Sequence, residues 1–345
     1  MMTRTMERMG RSGLILALVG ILASLTFMQA VAQDSSPAAG GEVAPYEAPD
    51  NLGDISGSIE SDGSSTVGPV TNSVIEGFAG VASGIQVTNS ISGSGGGFAR
   101  FCNGETDLQN ASRPIEDDER ANCATNGVDF YELQVAIDGL TVVVNPENDF
   151  VDCLTTEQVF TVFSDAGLSW DAVDPSFPAE EILSYVPGTD SGTYDYFSEA
   201  IMEDGDVVAD EYSEDDNVLV TGVTGDQYAI GFFGYAYYAE NQDSLRAVPI
   251  DSGSGCVEPS EETVQDNTYS PLSRPLFIYV KAESLQRPEV QEFMRYYIAS
   301  LTEIVPVVGY VALSSSAYAE VQAKLEGGIS GSGTPDSAAE GTPEA

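Results

Sequence analysis

Three stretches of this chain set a turn rich in Gly, Ser and Thr between a strand-like run and a helix-like run. Ser92-Gly93-Ser94-Gly95-Gly96-Gly97 follows Ile85, Val87, Asn89 and Ile91 and precedes Phe98, Ala99, Phe101 and Cys102. Asp62-Gly63-Ser64-Ser65-Thr66 precedes Val67, Val70, Val74, Ile75 and Phe78. Pro187-Gly188-Thr189-Asp190-Ser191-Gly192-Thr193 precedes Tyr194, Phe197, Ala200 and Ile201. At such a junction glycine lets the backbone come close, the first-turn N–H groups lack intrahelical partners, and the helix dipole favours negative charge. A single one reads equally well as a flexible loop or a capped helix. Three together point to a small oxyanion held by convergent hydrogen bonds.

The rest of the chain repeats the alternation. Strand-like Ile55–Ile59, Asp107–Ala111, Ile182–Val186, Tyr228–Phe232, Ala247–Ile250 and Leu276–Val280 are interleaved with helical runs. One helix starts at Glu116-Asp117-Asp118-Glu119, after Ser112-Arg113-Pro114, and another spans Thr155–Phe163. Phe130–Ile137 and Leu140–Asn145 read as two strands separated by Asp138-Gly139, a pair with turn chemistry. After Pro288, the residues Val290, Phe293, Met294, Tyr297, Ile298 and Leu301 form one helical stripe, with proline at the first helical position. Strands alternating with helices imply an α/β fold with largely parallel sheets, whose ligands sit beyond the carboxyl ends of strands. All three Gly/Ser/Thr turns are at that place.

The ends read differently. Residues 1–32 have a basic start (Arg4, Arg8, Arg11), an apolar core from Leu14 to Phe27 and a small-x-small site at Ala30-Val31-Ala32, the pattern of a signal peptide. A mature chain is expected from Gln33, exported to the periplasm or the extracellular face of a bacterial envelope. No cysteine near the cut suggests a lipid anchor. Residues 33–52 and 327–345 are rich in Ala, Gly, Pro, Ser and acids without periodicity, and are expected as a disordered linker and tail.

The chain carries 12 basic and 55 acidic residues and no histidine, a net charge of −43. Without Arg4, Arg8, Arg11 and Glu7 it keeps nine basic and 54 acidic residues, a net of −45. Nucleic acid and anionic membrane surfaces are therefore excluded as partners. An anion bound here must be held by local dipoles and a few of those nine cations. The four cysteines allow three pairings. Cys102–Cys123, closing a loop around Arg113, and Cys153–Cys256 are the favoured pair. The lack of histidine removes Ser-His-Asp chemistry and, with no close cysteine spacing, any zinc site; no cofactor is expected.

The chain resembles the PstS-type phosphate-binding proteins of bacterial ABC importers. The resemblance is carried by Asp62–Thr66, Ser92–Gly97, Asn110-Ala111-Ser112-Arg113-Pro114, Asp138-Gly139-Leu140, Asp190-Ser191-Gly192-Thr193, Gly231-Phe232-Phe233-Gly234-Tyr235 and Pro271–Leu276, in family order over 53–313. It implies a type II periplasmic-binding fold, with two α/β lobes, a two-segment hinge and phosphate in the cleft. Lobe I would be 53–137 plus 274–326 and lobe II 138–273, crossing at Asp138 and Arg274. The implied contacts are Ser65, Thr66 and the Val67 backbone, then Ser94, then Ser191, Gly192 and Thr193.

One branch of the family has Asp where this chain has Arg113, and Arg where it has Pro187. The cation is thus expected to have changed lobes, which makes Arg113 a bidentate clamp and the one cation in the cleft. Asp138 is then the carboxylate that accepts the phosphate proton, with Asp190 in reserve and Arg274 bracing the hinge. The implied activity is capture of inorganic phosphate without chemistry, by a monomer that delivers it to a membrane permease. The alternatives are the same fold tuned to sulfate, which a cleft carboxylate would repel, or a secreted phosphatase, for which no activated nucleophile or metal cluster is visible.

Overall fold

The computed structural model describes residues 43–189, 191–203 and 205–338. The signal peptide, the linker up to residue 42 and the reserve carboxylate Asp190 lie outside them. The strands are β1 (Gly57–Gly63), β2 (Ile85–Asn89), β3 (Leu108–Ala111), β4 (Phe130–Val144), β5 (Leu154–Thr155), β6 (Leu183–Pro187), β7 (Glu211–Ser213), β8 (Ala229–Gly234), β9 (Arg246–Ala247), β10 (Ile250–Asp251), β11 (Cys256–Val257) and β12 (Ser273–Lys281). The helices are α1 (Gly68–Ala79), α2 (Gly93–Cys102), α3 (Asp117–Thr125), α4 (Thr156–Val162), α5 (Trp170–Val173), α6 (Gly192–Ala200), α7 (Asp216–Gly225), α8 (Tyr235–Glu240), α9 (Glu261–Gln265), α10 (Pro288–Val308) and α11 (Ser315–Ser330).

The main sheet runs β2-β1-β3-β12-β4-β8-β6-β7, with β9 also on β4. Parallel β1, β2 and β3 form one wing and parallel β6, β7 and β8 the other. The antiparallel pair β12 and β4 lies between them, and β4 continues past β12 to pair with β8. This is the expected arrangement, two α/β halves joined by two crossing segments. Register sets Arg274 opposite Asp138 at the crossing.

Asp138-Gly139 is therefore no turn, because β4 runs unbroken through it. A Cβ on Gly139 would stand 3.0 Å from a Val264 methyl and 3.1 Å from Tyr235 Cβ, so glycine here eases close packing and makes no chain reversal. The run Ala247–Ile250 likewise splits. Its ends belong to β9 on the main sheet and to β10 of a small β11-β10-β5 sheet.

Local signals account for the helix starts. Pro288 opens α10, Gly309 (φ +94°) closes it, and Glu116 with Glu119 forms a reciprocal cap on α3. The α10 stripe is buried as its spacing predicts, packed with Val70, Val74 and Phe78 of α1 in the main core. Trp170 is core as well. The disulfide Cys102–Cys123 joins the end of α2 to α3 inside a second cluster with Phe98, Phe101, Phe130 and Tyr279, and Cys153–Cys256 joins the other half.

The described ends are built into this core, against the linker and tail expectations. Ala44 exchanges two hydrogen bonds with Gln322, Tyr46 donates to Glu292, and Leu52 is buried. Gly327–Ser330 complete α11, and Asp336 accepts from the Glu132 N–H and pairs with Lys324. Low periodicity in sequence concealed short segments whose order comes from specific side-chain contacts.

Candidate functional site

The first Gly/Ser/Thr turn leaves β1 through Gly63, at φ +132°, where a Cβ would collide with the Asn110 carbonyl. Ser64 then accepts from the N–H groups of Thr66 (3.1 Å) and Val67 (3.4 Å). Helix α2 begins inside the glycine run, five residues ahead of the first aromatic. Gly97 allows it to lie on β1, since a Cβ there would meet Gln109 Oε1 and Gly63 Cα. Gln109 in turn donates to the Ser94 carbonyl, and the Ser94 hydroxyl accepts from the Ser112 N–H at 3.1 Å.

These turns enclose a cavity of about 280 Å³ with Ser65, Thr66, Ser94 and Arg113 on its wall. Arg113 is held from three sides. Its guanidinium donates to both Glu119 oxygens at 2.8 Å and meets Glu116 at 3.1 Å, and it lies 5.7 Å from the Phe98 ring centre. The expectation that Arg113 is the one cation in the cleft fails, because a second guanidinium lines the same cavity. Arg274 reaches the same cavity from β12, donating to Thr66 Oγ1 (3.1 Å), Glu199 (2.7 Å) and Asp138 (3.3 Å), with Tyr196 stacked on it at 3.7 Å. A residue read as a hinge brace is thus also part of the wall, because the strand pairing points its long side chain into the cleft. Asp195 and Glu199 of α6 complete that wall.

The remaining candidates line a neighbouring cavity of about 540 Å³. Ser191, Gly192 and Thr193 at the start of α6 face it together with Asp138. Ser191 caps the helix by accepting from the Thr193 N–H at 3.2 Å. Val67 lines neither cavity; it is buried and its N–H is engaged by Ser64. Arg274, on the wall of the first cavity, links the two walls through its bonds to Thr66 and to Asp138. Tyr310 also reaches Thr66, donating to its carbonyl at 2.9 Å, with its oxygen 3.8 Å from where a Gly192 Cβ would stand. Tyr310 follows the helix-ending Gly309, and no sequence signal distinguished it from the other tyrosines.

Burial pushes the Asp138 carboxyl up to about 6, although the Arg274 guanidinium pulls the other way. Burial also drives the Tyr310 phenol well above its ordinary range, so it remains a neutral donor. The arrangement offers hydroxyls, N–H groups at helix starts, two guanidiniums and a proton acceptor near neutrality. It offers no activated nucleophile, and no group able to hold a metal occurs among the described residues.

Residues 44–300 match the PBP superfamily domain. Protein SphX of Synechocystis sp. is 44% identical over 270 residues, which cover 76% of this chain and 80% of that protein. Phosphate-binding protein PstS of Staphylococcus saprophyticus is 41% identical over 272 residues, covering 78% of this chain and 85% of that one. The crystal structure of a possible phosphate binding protein from Planctomyces limnophilus superposes with a TM-score of 0.76 at 41% identity, covering 80% of this chain and 99% of that chain.

Proposed function

The chain belongs to the PstS-type family of periplasmic phosphate-binding proteins, and from that membership we propose that it captures inorganic phosphate for an ABC importer. The observation that carries this reading is the cavity into which the starts of α1 and α2 and two arginines converge. In a chain of net charge −43, two guanidiniums in one cleft with hydroxyl and N–H donors make a local anion site against an unfavourable long-range field. Binding is the whole activity.

The proposed ligand set is Ser65, Thr66, Ser94 and Arg113 on one side and Ser191, Gly192, Thr193 and Asp138 on the other. The Val67 N–H joins them once Ser64 releases it. Lobe I is taken as 53–137 plus 274–326 and lobe II as 138–273. The Asp138–Arg274 pairing at the crossing of β4 and β12 supports that division. Rotation about this crossing brings both sets onto one ion. The protein works as a monomer outside the cytoplasmic membrane and hands phosphate to a permease; no described helix is long and apolar enough to cross a membrane.

Calorimetric titration of ligand-free protein with phosphate, arsenate and sulfate tests the reading. Phosphate and arsenate should bind and sulfate should not. No heat with phosphate, or equal affinity for sulfate, would overturn it.

A further inference from the structure

Glu119 is an acid beside a proposed anion site, and two opposite roles are open to it. It could compete with the ligand for Arg113, or it could aim Arg113 at the ligand. The geometry favours aiming. Glu119 accepts two hydrogen bonds from Arg113, one on each oxygen at 2.8 Å, in a fork that fixes the plane of the guanidinium. The same carboxylate also accepts from the Glu116 N–H at 2.9 Å as part of the α3 cap, so it is held by the backbone of its own helix. That helix is bonded to the end of α2 through Cys102–Cys123, and α2 carries Ser94 at its start. Arg113 spends its other donors on Glu116 and the Pro114 carbonyl, which leaves one Nη2 N–H. Nη2 lies 3.7 Å from where a Gly95 Cβ would stand, on the cavity wall.

Across the cavity stand Asp195 and Glu199. With 55 acids and 12 bases in the chain, an Arg113 held only through Nε by the exposed Glu116 would leave its Nη groups free to turn onto Asp195 and Glu199, closing the cleft from within. We propose that Glu119 is a positioning residue for anion capture. It holds Arg113 in its ligand-facing orientation, away from Asp195 and Glu199, so that removing this negative charge weakens phosphate binding. This rests on the reading of Arg113 as the clamp.

The test is calorimetric titration of the full chain with inorganic phosphate at about 0.15 M salt, where charges beyond roughly 8 Å are largely screened. Glu119→Gln retains an oxygen for the Glu116 N–H and so preserves the α3 cap, but its amide cannot complete the fork to Arg113. Its affinity should fall roughly three- to tenfold, the cost of ordering a freed arginine on binding. Arg113→Ala alone should cost far more, and adding Glu119→Gln to it should change affinity less than about twofold, since the two act through one group. Unchanged or tighter binding by Glu119→Gln, with Arg113→Ala impaired, makes Glu119 a bystander or competitor and overturns the inference. An equal loss from Glu119→Gln in both backgrounds also overturns it, by showing a general structural role. Normal binding by Arg113→Ala is a different failure, which removes the clamp and the inference together.

Discussion

Arg274 and Asp138 are partners across the β12–β4 pairing, 136 residues apart in sequence, with Arg274 Nε donating to Asp138 Oδ2 at 3.3 Å. Both are nearly inaccessible, and each faces one of the two cavities. The pair is therefore the point at which the proposed ligand contacts, the proposed hinge and stability meet.

Protonation of Asp138 should be visible in stability. Its carboxyl titrates near 3.8 when unfolded and near about 6 when folded, so the native state holds more protons between those values. Its stabilising contribution is complete below the lower value and is lost as pH rises through the upper one, a loss on the order of 3 kcal/mol. Asp138→Asn removes this dependence. Urea unfolding of both proteins from about pH 4 to about pH 7 should show the variant gaining on the wild type as pH rises. A constant difference would contradict the burial argument.

The same substitution should change selectivity. As the proposed acceptor, an ionised Asp138 would take the proton of monohydrogen phosphate and repel sulfate, whereas an amide would donate to either ion. Phosphate binding should weaken by about 1–3 kcal/mol and sulfate binding become measurable. If neither happens, the acceptor lies elsewhere. Glu199, which shares the cavity wall with Arg113, is then the first carboxylate to test.

Arg274→Met leaves Asp138 buried without its counter-ion and should cost about 3–5 kcal/mol of stability. Arg113→Ala should cost less stability, because Glu116 is exposed and Glu119 keeps its hydrogen bond from the Glu116 N–H, but about 3 kcal/mol of phosphate affinity, near a hundredfold. Denaturation and titration of the same two variants separate the roles. A fully stable Arg274→Met would mean the crossing pair is dispensable.

The disulfide that closes the longer loop should contribute more, though only as the logarithm of loop length. Cys102–Cys123 spans 21 residues and Cys153–Cys256 spans 103. Chain entropy assigns about 3 kcal/mol to the first and about 5 kcal/mol to the second. Serine replacement of each pair, followed by denaturant unfolding, should reproduce that order, and the reverse order would point to residual structure in the unfolded chain.

If the ligand bridges both lobes, phosphate should draw them together about Asp138 and Arg274. Small-angle scattering of ligand-free protein should give a smaller radius of gyration after phosphate is added. An unchanged radius would argue for a site contained within one lobe.

By itself the sequence determined what depends on neighbours along the chain. The three turns specify helix starts locally, through the glycines that open α2, the Ser64 hydroxyl on the N–H groups ahead of α1 and the Ser191 cap of α6, and Pro288 with its stripe specifies α10. The local cap formed by Glu116 and Glu119 was legible at its first acidic residues. What depends on side-chain direction across paired strands was not. The spacing of Asp138-Gly139 suits a turn, and only the contacts of Gly139 with Val264 and Tyr235 show why a glycine sits inside a continuous strand. Arg274 reads as a brace because nothing local says that register turns it toward Thr66, and nothing in the sequence marks Tyr310, which the end of α10 places on the Thr66 carbonyl. Ser191, Gly192 and Thr193 were legible as a helix start, but not as lining a cavity distinct from that of Ser65, Thr66 and Ser94. Local hydrogen bonding is written in adjacent residues, whereas convergence in a cleft is decided by sheet register between residues more than a hundred positions apart.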